Sequence, residues 1–157
     1  ISHIDTPEAL VVTGQRAAEG EDVYVVGYDY EASCDTSPEV CLGVPYFNWG
    51  PEYLNAAMKA GHGEFEGEFV WSGPNWDNMN DKDSSTIGWN TGDGLTTDEV
   101  SKLDAFISQL SSDEINLFTG PLNFQDGSEF LADGEEASDF QIWYTSQLLE
   151  GMTGDSE

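Results

Sequence analysis

The stretch Cys41–Glu52, CLGVPYFNWGPE, decides the fold that this sequence predicts. A short apolar run ends at Phe47, Asn48 and Trp49, and Pro51 then opens a helix, because proline is favoured at the first helical position. In an open α/β sheet, ligands bind in the crevice at the carboxyl ends of the strands. We therefore expect two aromatic rings and an amide to face such a crevice.

A second apolar run of the same kind, Val23–Asp29, precedes this stretch and stops at an acid. Continuous rather than alternating apolar residues predict a strand that is covered on both faces, as in parallel sheets. A planar ligand could stack between rings at the shared crevice while an amide and a carboxylate read its polar edge. The alternative is that Phe47 and Trp49 pack in the core. The candidate ligand residues are Asp29, Phe47, Asn48, Trp49 and Trp71.

The remaining sequence supplies helices and short strands in α/β order. Helices are predicted from a start at residues 5–8 to about Ala18, over 52–60, and from Thr96, which forms a capping box with Glu99, to about Ser111. The apolar stripe of the third helix is predicted to be core. We also predict a strand end at 3–4, strands at 63–71, 85–89 and 115–118, a reversal at 123–127, an apolar docking segment at 138–151, and a frayed end at 153–157. Residues 72–94, polar and rich in Gly, are predicted to be a functional or inserted loop.

Charge is the most unusual property of the sequence. It has 31 Asp and Glu against four Lys and Arg, a formal net charge of −27, yet 12% of its residues are aromatic. A folded, acidic, Lys-poor chain is typical of proteins adapted to molar salt, where the Debye length of about 3 Å screens self-repulsion. An acidic surface that takes up calcium is the alternative. The same charge excludes nucleic acid and anionic membranes as partners.

The two cysteines, Cys34 and Cys41, enclose six residues. This spacing suits a local disulfide in an oxidising compartment, although free buried thiols are the alternative. Two thiols without a suitably spaced His do not make a zinc site. We expect no metal and no cofactor.

Catalytic motifs are sparse. The sequence has two histidines, neither beside a Gly-x-Ser-x-Gly turn, and it has neither GxxxxGK[ST] nor GxGxxG. The acidic run 77–83 does not meet the EF-hand pattern, because Thr86 and Gly92 occupy the positions that need Gly and Glu. We therefore expect a protein that is not an enzyme. An enzymatic function would need a catalytic His or a metal contributed from outside this chain.

Several blocks carry a family resemblance: VYVVGYDYE, LGVPYFNWGPEYLNAAM, INLFTGPLNFQDG and a tail ending LLEGMTG. Together they resemble the basic membrane protein (BMP) family of ABC-transporter substrate-binding lipoproteins, in its purine-binding-type subgroup. The resemblance implies a type I periplasmic-binding fold of two Rossmann-like α/β lobes that close on a small molecule. Residues 1–61 would form the C-terminal lobe with the crevice strands. Residues 62–157 would supply hinge-crossing segments, the capped helix and the tail that complete the lobes.

The resemblance also implies particular contacts. In nucleoside binders of the family a Gly-x-Asp block gives its acid to the ribose, and here that block contains Gly27 and Asp29. Those binders carry Lys where this sequence has Phe47. A ring in place of a cation favours a free base such as adenine over a nucleoside.

The partners implied are a purine-like small molecule, an ABC permease in the membrane, and a missing N-terminal part of the same protein. The first residue is Ile1 rather than Met, so we expect the later portion of a longer chain, exposed outside a salt-loving cell and held by a lipid anchor outside these residues. The alternatives are a binding protein for riboflavin or a sugar, and a sensor or structural module of the same fold.

Overall fold

The computed structural model describes residues 1–3 and 5–155, and the predicted strand end at 3–4 therefore lies partly outside the described residues. The chain forms two compact units, Ile1–Asp104 and Ala105–Glu157. The boundary falls after residue 104 rather than at 61, because a strand beyond residue 61 pairs within the first unit. The assignment of 1–61 and 62–157 to two lobes stays a prediction.

The first unit contains a three-stranded mixed sheet in the order β1-β2-β3. β1 (Val25–Val26) runs parallel to β2 (Cys41–Phe47), and β2 runs antiparallel to β3 (Ile87–Thr91). The parallel pairing of the two apolar runs, which the sequence predicted, is confirmed. With its helices, the unit is compatible with an α/β fold.

Two helices flank these strands in the chain. α1 (Glu8–Ala18) begins after Pro7 and buries Leu10, and α2 (Gly50–His62) begins with Pro51 in its first turn and ends at Gly63 in the left-handed conformation. Both helices occur where the sequence predicted them. α2 buries none of its residues, and Leu54 and Met58 are 65% and 60% exposed.

The core of the first unit gathers around β1, β2 and the disulfide. Its buried members are Leu10, Val25, Cys34, Val40, Cys41 and Val44. Cys34 and Cys41 are joined, with their Cα atoms 5.4 Å apart. The bond ties the short 3₁₀ turns Ser33–Thr36 and Pro38–Val40 to the start of β2.

Reduction of this disulfide is expected to destabilise the chain by about 2.5 kcal/mol, because the cross-link closes a short loop in the unfolded state. Urea unfolding in molar salt, with and without a phosphine reductant, measures the difference. The double variant Cys34→Ala, Cys41→Ala is the control, and the reductant must leave its unfolding midpoint unchanged. Equal midpoints for the oxidised and reduced wild type would contradict the prediction.

α3 (Thr97–Ser111) starts in the capping box that the sequence predicted. The Thr96 backbone N–H donates to Glu99 Oε2 at 2.8 Å, and the Glu99 N–H donates to Thr96 Oγ1 at 3.4 Å. The apolar stripe of this helix is half-buried or exposed rather than core, with Phe106 39% exposed, so that part of the prediction is wrong. Helical spacing identifies an apolar face but does not say what covers it.

The capping box makes the stability of α3 depend on pH. The Thr96 hydroxyl and backbone N–H donate to the carboxylate and lower the pKa of Glu99 below its ordinary value of 4.5. A lowered pKa means that the stabilisation is complete above about pH 4.5 and is lost as pH falls through the folded-state value. Amide hydrogen exchange in α3 should therefore be slower in wild type than in Glu99→Gln at pH 7. The difference should close in acid, and a gap that does not change with pH would contradict this account.

The second unit contains a hairpin and a short helix. β4 (Leu122–Asn123) pairs antiparallel with β5 (Glu129–Leu131), and Gly127 adopts φ +84° in the turn, which confirms the predicted reversal. α4 (Asp139–Trp143) starts in a capping box between Ser138 and Gln141. Leu131 is fully buried.

Two predicted strands are wrong. Residues 63–71 pair with no strand. Their Glu68 instead accepts from Lys59 Nζ of α2 at 2.8 Å, and the next residue, Ser72, donates to Glu52 Oε1. Residues 115–118 turn, because the Asn116 side chain accepts the Phe118 N–H at 2.9 Å and competes with strand pairing.

The tail also differs from the prediction of a frayed end. Gln125 Nε2 donates to the carbonyl oxygens of Met152 and Gly154, at 3.1 and 3.2 Å. Residues 153–154 are therefore tied to the hairpin turn, and 156–157 lie outside the described residues. The docking segment at 138–151 leaves Phe140 and Tyr144 71% and 64% exposed, so these two rings are not core.

Candidate functional site

The predicted acid and the predicted rings lie on neighbouring strand ends. The Asp29 N–H donates to the Pro45 carbonyl at 3.1 Å, and the Phe47 N–H donates to the Asp29 carbonyl at 3.3 Å. Asp29 thus forms a one-residue parallel bridge beside Tyr46. The structure brings Asp29 and Phe47 together at the carboxyl ends of parallel strands, where α/β proteins hold ligands.

Asp29 has a strained backbone. Its φ is +66°, in the left-handed region that non-glycine residues rarely adopt, although Asp and Asn tolerate it best. Conformations of this kind cost about 1–3 kcal/mol and cluster at functional sites. Its strained backbone at a strand end makes Asp29 the strongest single candidate for a ligand contact.

Five aromatic side chains form a continuous series at this edge, which we call the ring row. Its neighbouring centroids are 4.8, 5.9, 5.6 and 6.1 Å apart, in the order His3, Tyr28, Phe47, Trp49, Tyr53. The exposed fractions are 39% for Phe47 and 57% for Trp49. These two rings are therefore not core, and the alternative reading of the sequence is wrong for this structure.

The rings of the row lie too close together for a ligand to bind between two of them. A flat ligand inserted between two parallel rings needs about 7 Å between them, twice the optimal carbon–carbon separation. Every pair in the row is closer than that. A planar ligand would therefore stack on an outer ring face, and the exposed Trp49 indole is the largest such face.

A cleft of about 400 Å³ adjoins the ring row. Tyr28 belongs to both, since it lines the cleft and meets the Phe47 ring edge to face. The volume is within the range of small-molecule pockets. Asp29 lines the cleft, whereas Phe47, Asn48 and Trp49 do not. The full lining is Asp5, Thr6, Pro7, Leu10, Tyr28, Asp29, Tyr30, Ala32, Ser33 and Thr36.

The charge at the cleft is negative, because its lining includes two acids and no Lys or Arg. A site of this sign disfavours phosphates and other anions. It suits a neutral or cationic molecule that donates N–H groups, because ionised carboxylates only accept hydrogen bonds.

Asn48, predicted to read the polar edge of a ligand, uses both of its amide donors within the protein. Its Nδ2 donates to the carbonyl oxygens of Lys82 and Ser85, the second at 2.8 Å. Both amide protons are thus used within the protein. Asn48 lies beside the site with its Oδ1 as the side-chain atom that could accept from a ligand, so its role in reading a ligand edge stays a prediction.

The other two predicted residues also have structural surroundings. Gly27 is buried, and a Cβ there would lie 3.2 Å from Ser33 Cβ and 3.3 Å from Val44 Cγ2, so glycine permits close packing behind β1. Trp71 lies beside Phe69 on the segment after α2, with ring centroids 6.1 Å apart, and it does not line the cleft.

The sequence reasoning missed His3, Tyr28 and Tyr53. Tyr53 follows Trp49 by four residues, the spacing that brings side chains together on a helix, and its ring stacks on Trp49. This spacing was enough to predict the Trp49–Tyr53 contact from the sequence. The His3–Tyr28 contact joins residues far apart in sequence and had no local signal.

Two further observations bear on the class of protein. Among the described residues, no group of three His, Cys, Asp or Glu side chains is arranged to hold a metal ion. Within the same residues no helix combines the length and the apolar composition needed to cross a membrane.

The site is thus a strand-end cleft beside exposed rings, in a unit compatible with an α/β fold. The chain matches no family model. It is 30% identical over 125 residues to a purine-binding protein of Brucella abortus (strain 2308), and this match covers 74% of the chain and 29% of that protein. The chain therefore spans less than a third of the length of the curated relative. The similarity associates it with purine-binding proteins.

Proposed function

We propose that this protein is the solute-binding component of an importer and captures a purine base, with adenine favoured over a nucleoside. The observation that carries the proposal is the strained Asp29 beside an exposed ring row on the carboxyl edge of parallel strands. The name of the Brucella abortus relative, a purine-binding protein, supports the ligand class. The BMP resemblance supports the importer.

Adenine fits the chemistry of the site. Its exocyclic amine and ring N–H groups are donors that a carboxylate accepts, and its flat ring can stack on the exposed Trp49 face. The negative cleft argues against nucleotides, because their phosphates would be repelled.

Capture in this proposal depends on closure of two lobes. The ring row covers one side of a flat ligand, so the opposite side would be covered by a second lobe when it closes. Binding then favours the closed state by the difference in affinity between the two states. The protein performs no reaction, and its remaining partner is an ABC permease. We place it on the outer face of the membrane, held by a lipid anchor outside residues 1–157.

Calorimetry in molar salt tests the proposal against adenine, guanine, adenosine and riboflavin. Adenine should bind most tightly, and chromatography should recover it unchanged after incubation. Tightest binding of riboflavin, or of a sugar in a second panel, would replace the ligand assignment. No binding by any of them would favour a sensor or structural module, and a converted ligand would indicate an enzyme.

A further inference from the structure

The polar segment between α2 and β3 contains a closed loop, residues 73–86, which we call the Ω-loop. Its ends meet where Thr86 Oγ1 donates to the Gly73 carbonyl at 2.8 Å. Inside it, the Asn75 N–H donates to Ser85 Oγ at 2.9 Å, and Ser84 Oγ donates to Asp81 Oδ2. Compact loops whose ends are close and which are packed by their own side chains are frequently functional.

The Ω-loop is joined to the end of β2 through Asn48. The Asn48 N–H donates to the Thr86 carbonyl at 2.8 Å, and the side-chain amide donates to two further carbonyls of the loop. Asn48 lies between Phe47 and Trp49 in sequence. Movement of the loop would therefore shift the Phe47 and Trp49 rings.

The same loop is joined to the segment after Asp29. Lys82 Nζ lies 2.7 Å from Glu31 Oε2, and Glu31 follows Asp29 by two residues. Asn80 adds a link to the sheet, since its Oδ1 accepts from the Tyr46 hydroxyl and from the Trp89 N–H. The Ω-loop thus contacts both strand ends that carry the candidate ligand residues.

We propose that Asn48 is a positioning residue, which clamps the Ω-loop across the two strand ends and so fixes Asp29 relative to Phe47 and Trp49. The proposal rests on the proposed function for its ligand. The Lys82–Glu31 pair is a weaker second clamp. Its side chains are 64% and 44% exposed, so molar salt screens it, whereas the amide hydrogen bonds of Asn48 are unaffected.

Asn48→Asp tests the clamp, because it keeps the shape of the side chain and replaces the donor with an acceptor. Hydrogen exchange in residues 73–86 of the unliganded protein should become at least about tenfold faster, as expected for the loss of two hydrogen bonds. The indole resonance of Trp49 should also move. Asn78→Asp is the matched control, because it adds the same charge to the same loop, and it should change neither readout. Unchanged exchange in Asn48→Asp would overturn the proposal.

Ligand affinity separates positioning from direct recognition. A positioning residue should lower the affinities for adenine and hypoxanthine by the same factor, about tenfold, in both about 1 M and about 3 M salt, where the chain is expected to be folded. A loss of affinity for adenine but not for hypoxanthine would mean that Asn48 contacts the polar edge of adenine directly, and this result would overturn the proposal. Lys82→Gln should leave both affinities close to those of wild type in molar salt, because the exposed Lys82–Glu31 pair is screened there. If wild type binds no purine, the proposed function fails, and the exchange and resonance results still decide whether Asn48 clamps the loop.

Discussion

Asp29→Asn is expected to weaken adenine binding at least tenfold, which is about 1.4 kcal/mol. The carboxylate can accept two hydrogen bonds from a purine with its full charge, and the amide offers one neutral oxygen and a donor that clashes with ligand N–H groups. Asn is the right replacement because it tolerates the left-handed φ of +66° at this position. Alanine there would add backbone strain and confuse a folding defect with a lost contact.

The matched control for this prediction is Asp113→Asn. Asp113 is the other non-glycine residue described with a positive φ, at +56°, and it lies in the second unit. Isothermal titration in molar salt should find its adenine affinity equal to that of wild type. Equal losses of adenine affinity in both variants, or no loss in Asp29→Asn, would show that the Asp29 carboxylate does not contact the ligand.

A similar effect is expected in the ring row. Trp49→Ala should weaken adenine binding at least tenfold. The loss follows from removal of the largest exposed stacking face. Trp143→Ala is the control, because Trp143 is 58% exposed, close to the 57% of Trp49, and lies in the second unit. A tryptophan of similar exposure outside the row should leave the affinity unchanged. If both variants lose affinity equally, the effect is not specific to the row.

The sequence predicted those parts of the fold that local chemistry determines. The Thr96–Glu99 box starts α3, Pro51 lies in the first turn of α2, and continuous apolar runs became the parallel strands β1 and β2. Each of these signals acts within a few residues. The juxtaposition of Asp29 with Phe47 was also predictable, because parallel strands bring their carboxyl ends to one edge.

Contacts with distant partners leave no local signal in the sequence. Residues 63–71 alternate as a strand should, but a strand also needs a neighbouring strand, and this segment has none; its Glu68 pairs with Lys59 of α2. Asn48 was predicted to read a ligand because its type and place suit that role. Its carbonyl partners lie 34 and 37 residues away, and no local pattern identifies them. The left-handed backbone of Asp29 likewise results from tertiary packing, and it is what makes Asn rather than Ala the informative substitution.

The second large effect is expected from salt. Each of the four Lys and Arg side chains already forms an exposed ion pair, in the pairs Arg16–Glu21, Lys59–Glu68, Lys82–Glu31 and Lys102–Asp98. No cationic side chain is therefore left to pair with the remaining acids, and the formal net charge is −27. Near 0.1 M salt the Debye length is about 10 Å, so neighbouring acids repel one another across the surface. We expect the chain to lose its fold in dilute buffer and to regain it as salt approaches about 1 M, where the Debye length is about 3 Å.

Far-ultraviolet circular dichroism along a potassium chloride series measures this transition. Sucrose is the control for general preferential exclusion, because it favours compact states without screening charge. If screening is the cause, sucrose at low salt should restore little structure. A variant with fewer exposed acids should fold at lower salt, and Glu64→Gln, Glu66→Gln, Asp104→Asn and Glu114→Gln combined leave all four ion pairs intact. Folding of this variant at the same salt concentration as wild type would argue that self-repulsion is not what the salt relieves. A wild-type chain fully folded in dilute buffer would contradict the interpretation of the acidic surface as an adaptation to molar salt.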